Sequence, residues 1–413
     1  MDSYINSSSF FKNNDPEELA KKYGTPLYVY NEEIIRSHMR DVAGVITKYP
    51  YTANYSIKAN TNIHILKLAL EEGLNCDAMS VGEITMLLKA GFPKERIFFV
   101  PNNVGDDELS FAIEKEIMTS LDSLSQLERF GRLNPGGRCA VRINPGVGAG
   151  HSEKVVTGGK KTKFGIAEED IDRIFEIADE FSLKIAGINQ HIGSLFMSPE
   201  PYLEAVKNIL RIAERFEGLE FIDFGGGYGI PYHKLDDEAP YPIDEFRAAL
   251  EPILTDFVER YGYAPLFKSE PGRYCVAEGS VILGRVNAVK QNAGKKYAGC
   301  DIGMNVLVRP SMYGSWHDVE VLRNGKPVSR DALSEITVVG NICESGDILA
   351  KERMLPEIKE EDLVCILDTG AYGYSMCSTY NSRPRPAEVM VKADGSVEVI
   401  RRRETIEDLM KLF

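Results

Sequence analysis

No stretch of this 413-residue sequence approaches the roughly 20 consecutive apolar residues needed to cross a bilayer. Met1 to Asp15 is polar, rich in Ser and Asn, and lacks the apolar centre of a secretory leader, so a cytoplasmic chain is expected. Cysteine is sparse and unpatterned. Cys76, Cys139, Cys275, Cys300, Cys343, Cys365 and Cys377 are odd in number and form no CxxC pair, which argues for reduced thiols over a disulfide framework. Six histidines are scattered with no HxH or HxxxH pair, so no metal site is expected. Positive charge is also short: 48 Lys and Arg against 62 Asp and Glu leave a formal net charge of −14. That balance speaks against a nucleic-acid backbone or an anionic membrane as partner.

What is present is a chain with 43% hydrophobic residues, enough to bury a large core. From about residue 50 to 275 short apolar runs alternate with amphipathic stretches, within a barrel domain expected over residues 26–275. Eight strands are predicted: Thr52–Lys58, Leu74–Ser80, Ile97–Pro101, Met118–Ser123, Arg138–Pro145, Ile185–Gly193, Leu219–Gly227 and Leu266–Arg273. Helices are predicted at Ile63–Glu72, Val81–Ala90, Asp106–Glu116, Glu168–Phe181, Pro199–Phe216 and Ile243–Tyr261. Near-continuous apolar strands separated by helices indicate a parallel sheet covered on both faces, and eight of them a closed (β/α)₈ barrel. The alternation is broken by a long loop, Gly146–Lys163, of a length that is commonly functional. Residues 276–413 are short and β-rich, a separate β domain; residues 1–25 are expected to join it.

In such a barrel the chemistry gathers where strands end. Those positions hold Lys58, Asp77, Asn102, Arg142 with Asn144, His191 with Ser194, Gly225 to Gly227, and Glu270 with Arg273. A lysine at a buried strand tip is either an activated amine or one whose stem snorkels to water. Glu270 in EPGR either faces a ring nitrogen or pairs locally with Arg273. His191 either stacks on a flat ring or is an ordinary hydrogen-bonded histidine. The three glycines of FGGGYGI let backbone N–H groups approach an anion, or simply make a tight turn.

Taken together, YSIKAN, RINPGV with TGGKKTKFGI, HIGS, FGGGYGI, EPGR, RPSMYG, CESGD and GAYGYSMCSTYNSRPRPAEV resemble the fold-type III pyridoxal-phosphate decarboxylases, over residues 26–388. The diaminopimelate decarboxylases are the most similar branch. The resemblance implies pyridoxal 5′-phosphate as cofactor, bound as an imine by Lys58, with His191 stacked on its ring and Glu270 at the pyridine nitrogen. It implies that Ser194, Gly226, Gly227, Arg273 and Tyr372 hold the phosphate, and that Cys343 returns a proton to the substrate carbon. Arg309 and Tyr313, with Arg273, resemble the clamp on a distal carboxylate, and Glu344 resembles the partner of a distal ammonium; Tyr372 also borders the substrate. Cys343, Glu344 and Tyr372 would reach the barrel of a second copy, making a homodimer obligatory. Free cysteine is more commonly a small buried hydrophobe, but Glu344, Ser345, Gly346 and Asp347 beside Cys343 favour a loop.

The expected reaction is therefore decarboxylation of meso-2,6-diaminopimelate to L-lysine, the last step of lysine biosynthesis. Alternatives are a related decarboxylase of a D-amino acid, a carboxylated polyamine precursor or a carrier-bound acyl group, a racemase or lyase on a similar barrel, and a non-catalytic relative. Trp316 and His317, beside the RPSMYG segment, are bulkier and more polar than the resemblance leads one to expect.

Overall fold

The computed structural model describes residues 3–144, 146 and 163–413. Apart from its two ends, the Gly146–Lys163 loop lies outside the described residues. Two compact units are present: His38–Ile230 with Pro240–Cys275, and Met1–Ser37 with Pro231–Ala239 and Val276–Phe413.

The first unit is a closed barrel of eight parallel strands, Tyr51–Ser56, Asn75–Ala78, Ile97–Phe99, Met118–Leu121, Arg138–Arg142, Lys184–Asn189, Phe221–Asp223 and Leu266–Ser269. The ring closes where Tyr51 lies opposite Phe267 in parallel register. Phe98, Val100, Ala140 and Phe221 form an apolar cluster in this unit, each large side chain contributing about 1.5–3 kcal/mol on burial. All eight predicted strands exist, but each ends earlier at its C-terminal tip than its apolar run suggested. Asp77 and Arg142 stay within their strands, whereas Lys58, Asn102, Asn144, His191, Ser194, Glu270 and Arg273 lie beyond the last ladder residue.

Helices begin directly after these tips because the loops end in capping residues. Asn62 accepts from His64 N at 3.0 Å, Ser80 from Glu83 N at 3.2 Å, and Ser123 from Gln126 N at 3.3 Å. Each such cap stabilises its helix by about 1 kcal/mol. The Ser123 cap opens a helix, Leu124–Leu133, that the periodicity did not reveal.

The second unit is built on a ten-stranded sheet. Leu27–Asn31 runs antiparallel to Ser280–Asn292 on one side and parallel to Ala387–Val391 on the other. Its core includes Leu27, Val29, Val281, Leu283, Leu363, Cys365, Val389 and Val391. The expected domain limits shift accordingly. The N-terminal segment belongs with the β unit, but so do residues up to Ser37 and the Pro231–Ala239 excursion, so the barrel unit starts at His38 rather than at residue 26. Sequence could not separate Leu27–Asn31 from a barrel strand, since all five residues are buried in either setting. The strand Ile348–Leu355 was also unforeseen; its alternation is interrupted by Lys351, Glu352 and Arg353.

Candidate active site

The strand Tyr51–Ser56 breaks into a single 3₁₀ turn, Ile57–Ala59, which carries Lys58. Ser56 N donates to Pro271 O at 3.0 Å and Ser56 Oγ to Glu270 O at 3.3 Å, tying the Lys58 segment to EPGR. Burial pushes the Glu270 carboxyl well above its ordinary range; Asp223 and Asp77 add to this, while Lys58 and Arg142 oppose it. Burial likewise raises Asp77, again opposed by Lys58. His191 is driven the other way, well below the usual imidazole value, by burial first and then by Lys58 and Arg142. Lys58, His191, Asp77 and Glu270 thus share one electrostatic neighbourhood.

The glycine turn completes it. Gly226 N donates to His191 Nδ1 at 3.2 Å, so the neutral imidazole carries its proton on Nε2. A Cβ on Gly226 would stand 1.9 Å from Glu270 O, and Gly227 adopts φ 127, so neither position accepts a side chain. Replacing Gly226 with Ala must displace the Glu270 backbone. We expect cofactor affinity to fall at least about tenfold, read by titrating apoenzyme with cofactor; unchanged affinity would show that the turn can open without cost. Arg273 donates through Nε at 3.3 Å and Nη2 at 3.0 Å to Ser194 Oγ, joining two anion donors across the tips. Glu270 Oε1 has no hydrogen-bond partner among the described residues although it is buried. A neutral, flat imidazole, a carboxyl aimed without a partner, and a glycine turn beside an Arg–Ser pair fit a planar nitrogen ring bearing a phosphate arm.

Two charged residues here were not singled out from sequence. Asp223 lies in the barrel wall, accepting from Gly225 N at 2.9 Å and Asn54 Nδ2 at 3.1 Å. Lys268 lies 3.8 Å from the centroid of the Phe221 ring. Their signal was legible as single charges inside the apolar runs FIDF and LFKS. Burial pushes the Asp223 carboxyl up to about 7, opposed by Gly225 N–H and Lys268. Between the ordinary carboxylate range and about 7 the folded chain binds the proton that the unfolded chain has lost, so stability falls as pH rises through that window. Asp223→Asn is expected to raise Tm more at about pH 8 than at about pH 5; an equal effect at both would show that Asp223 does not titrate between them.

The remaining sequence candidates belong to the β unit. Arg309, 2% exposed, opens the short helix Arg309–Tyr313. Its Nη1 donates to Tyr232 Oη at 2.9 Å and meets His317 Nε2 at 3.0 Å. His317 Nδ1 lies 2.8 Å from Leu367 O, a group that only accepts, so Nδ1 carries the proton and Nε2 receives from Arg309. The polar His317 is thereby explained as a backing for the guanidinium. Tyr313 is half-buried, as is Tyr372, which holds the left-handed φ of 57. Cys343 and Glu344 are exposed, so the usual buried role of a free cysteine does not apply to Cys343. Among the described residues no group of three or more His, Cys, Asp or Glu is placed to hold a metal ion.

Residues 32–277 match the pyridoxal-binding domain of the pyridoxal-dependent decarboxylases. A diaminopimelate decarboxylase of Methanothermobacter thermautotrophicus is 44% identical over 96% of this chain and 93% of that protein. That of Escherichia coli is 35% identical over 95% of each. The crystal structure of the Helicobacter pylori diaminopimelate decarboxylase complexed with L-lysine superposes with TM-score 0.87 at 32% identity, covering 96% of this chain and 98% of that one. A lysine/ornithine decarboxylase from Vibrio vulnificus, complexed with putrescine, shares the fold at TM-score 0.79 and 22% identity, so the fold alone does not choose the substrate. A closed barrel with this cluster of groups at its strand tips, matched nearly end to end, places the chain among the pyridoxal-phosphate-dependent decarboxylases, in the diaminopimelate decarboxylase family.

Proposed function

We propose that this protein decarboxylates meso-2,6-diaminopimelate to L-lysine and carbon dioxide, using pyridoxal 5′-phosphate. The observation that carries the reading is the convergence of Lys58, His191, Glu270, the Arg273–Ser194 pair and the Gly225–Gly227 turn at the strand tips of one barrel. When bound, the cofactor supplies an electron sink for the pair left on the substrate carbon as carbon dioxide departs. Lys58 holds the cofactor through its amine, and His191 lies against the ring as a neutral imidazole. Glu270 keeps a proton at the ring nitrogen; its Oε1 is buried with no hydrogen-bond partner among the described residues, and a pyridinium facing it would neutralise the buried carboxylate. Ser194, Gly226, Gly227, Arg273 and Tyr372 hold the phosphate.

Arg309 and Tyr313, with Arg273, receive the distal carboxylate, and Glu344 the distal ammonium. The support is that Arg309 is a buried cation held in one direction by Tyr232 and His317, so a substrate lacking that carboxylate forfeits a charge-assisted pair. Arg309→Ala is expected to lower kcat/KM for diaminopimelate roughly 10²-fold with cofactor content unchanged. An unaltered kcat/KM would place the clamp elsewhere.

Cys343 returns a proton to the substrate carbon, and it does so in the barrel of a second copy, so the enzyme works as a homodimer. The exposure of Cys343 and Glu344 on their own unit supports this assignment. Mixing the inactive Lys58→Ala and Cys343→Ala proteins under conditions that exchange subunits should then restore about a quarter of native activity, since half the dimers are mixed and each has one intact site. No recovery despite proven exchange would sink shared sites. The unpaired state of all seven cysteines supports a reducing, cytoplasmic setting.

The deciding experiment is a substrate panel with the purified holoenzyme. Carbon dioxide should be released from meso-diaminopimelate and not measurably from lysine or ornithine. Turnover of ornithine or lysine with none of diaminopimelate would overturn the assignment.

A further inference from the structure

The adjacent residues Cys343 and Glu344 are met by a second adjacent pair, Tyr380 and Asn381, in the turn Tyr380–Ser382. The Tyr380 hydroxyl donates to Glu344 Oε1. Asn381 Oδ1 accepts from Cys343 N at 3.1 Å, while Asn381 Nδ2 donates to Cys343 Sγ at 3.2 Å. Chemistry fixes the orientation of this amide: a backbone N–H can only donate, so the atom facing it is oxygen and the NH₂ group points at sulfur. Asn381 has φ 58, a left-handed conformation that asparagine tolerates better than most residues. Its backbone and its side chain are therefore both suited to this place.

The loop is held from other sides as well. Asp347 accepts from Ile342 N at 2.7 Å and Met304 N at 2.6 Å, and Arg383 donates to Asn341 O at 3.1 Å. Glu344 and the Tyr380 phenol, the latter pushed up to about 12 chiefly by Glu344, are the other titratable groups at the thiol. The Tyr380 hydroxyl is a second neutral donor near the thiol and is given to Glu344, whereas the amide of Asn381 is directed at sulfur.

We propose that Asn381 is a positioning residue for proton transfer: its N–H group steadies the negative charge left on Cys343 Sγ, and its oxygen fixes the direction of the thiol. This rests on the assignment of Cys343 as proton donor. In that step the S–H bond breaks, the electron pair on the substrate carbon forms the new C–H bond, and sulfur keeps its own pair until water returns a proton. No oxidant or further reactant is needed.

The test follows carbamidomethylation of Cys343 by iodoacetamide in the holoenzyme, read by peptide mass spectrometry across a pH series. Native enzyme, Asn381→Gly and Asn381→Asp are compared. Glycine accepts the left-handed backbone while deleting the amide. Aspartate is isosteric, keeps the oxygen that receives Cys343 N, and replaces the donor at sulfur with a carboxylate oxygen, so it serves even where the glycine variant folds poorly. The alkylation profile should move upward by about one pH unit in Asn381→Gly and further in Asn381→Asp, with kcat lowered about tenfold and KM nearly unchanged. A profile that stays put in both variants overturns the proposal, whatever happens to kcat. An undiminished kcat in Cys343→Ala would instead overturn the donor assignment, and with it the catalytic role of Asn381, so the two failures are told apart.

Discussion

Lys58→Ala is expected to yield a colourless protein whose turnover is lowered roughly 10³-fold or more. Its amine is half-buried among carboxyls and an imidazole whose protonation it already biases. The buried wall lysine Lys268 lies over Phe221 and cannot take its place without breaking that contact. Removing the cation should also let Asp77 and Glu270 protonate more readily, because Lys58 lowers both. The absorbance of purified protein incubated with the cofactor, together with carbon dioxide release, checks this. A variant that remained yellow and active would refute the attachment site. Partial rescue by added small amines is expected, since they restore the missing functional group without its tether.

Cys343→Ala should lower kcat by roughly 10²–10⁴-fold, the range over which a positioned general acid acts. Cofactor content and spectrum should stay native, because Cys343 is not among the residues proposed to hold the phosphate or the ring. Stability should change by no more than about 0.5 kcal/mol, since the side chain is exposed and leaves no cavity. Steady-state kinetics and thermal unfolding on one preparation separate the two effects. An unchanged kcat would remove the thiol from the acid role, whereas a large loss of stability would show that Cys343 is a packing residue after all.

The barrel was legible because its strands are predominantly apolar and polar residues gather toward their C-terminal ends. Thr52 through Lys58 and Leu266 through Arg273 carry that change of character in a few residues. The same feature misled the strand limits: the runs Ile185–Gly193 and Leu219–Gly227 continue to look β-like, yet the ladders stop at Asn189 and Asp223. Beyond those points the backbone serves other partners, as Gly226 N serves His191. The helix Leu124–Leu133 escaped notice although Ser123 is a plain capping residue; it is short, buries only Leu127, Phe130 and Gly131, and carries a glycine in its interior. Leu27–Asn31 was placed with the barrel because burial of every residue is common to a barrel strand and a central sheet strand, and only pairing tells them apart.

The site divides in the same way. Residue types near strand ends were enough to nominate Lys58, His191, Ser194, Gly226, Gly227, Glu270 and Arg273, although each type there has an ordinary use too, and their roles came from the resemblance of the motifs taken together. Their electrostatic coupling was not, because it depends on burial and on distances across the barrel that no local pattern encodes. Asp223 illustrates this: its proton is retained toward neutrality because folding buries it and brings Asp77 near, against the pull of Lys268, residues about 146 and 45 positions away along the chain. Asn381 and Cys343 illustrate it again, their contact joining turns 38 residues apart. By itself the chain dictated the alternation of apolar segments, the turn chemistry and the inventory of reactive groups, all properties of neighbouring residues. Tertiary structure alone decided where each strand stops, which sheet Leu27–Asn31 joins and which groups share a proton's field, because pairing and desolvation exist only once distant segments meet.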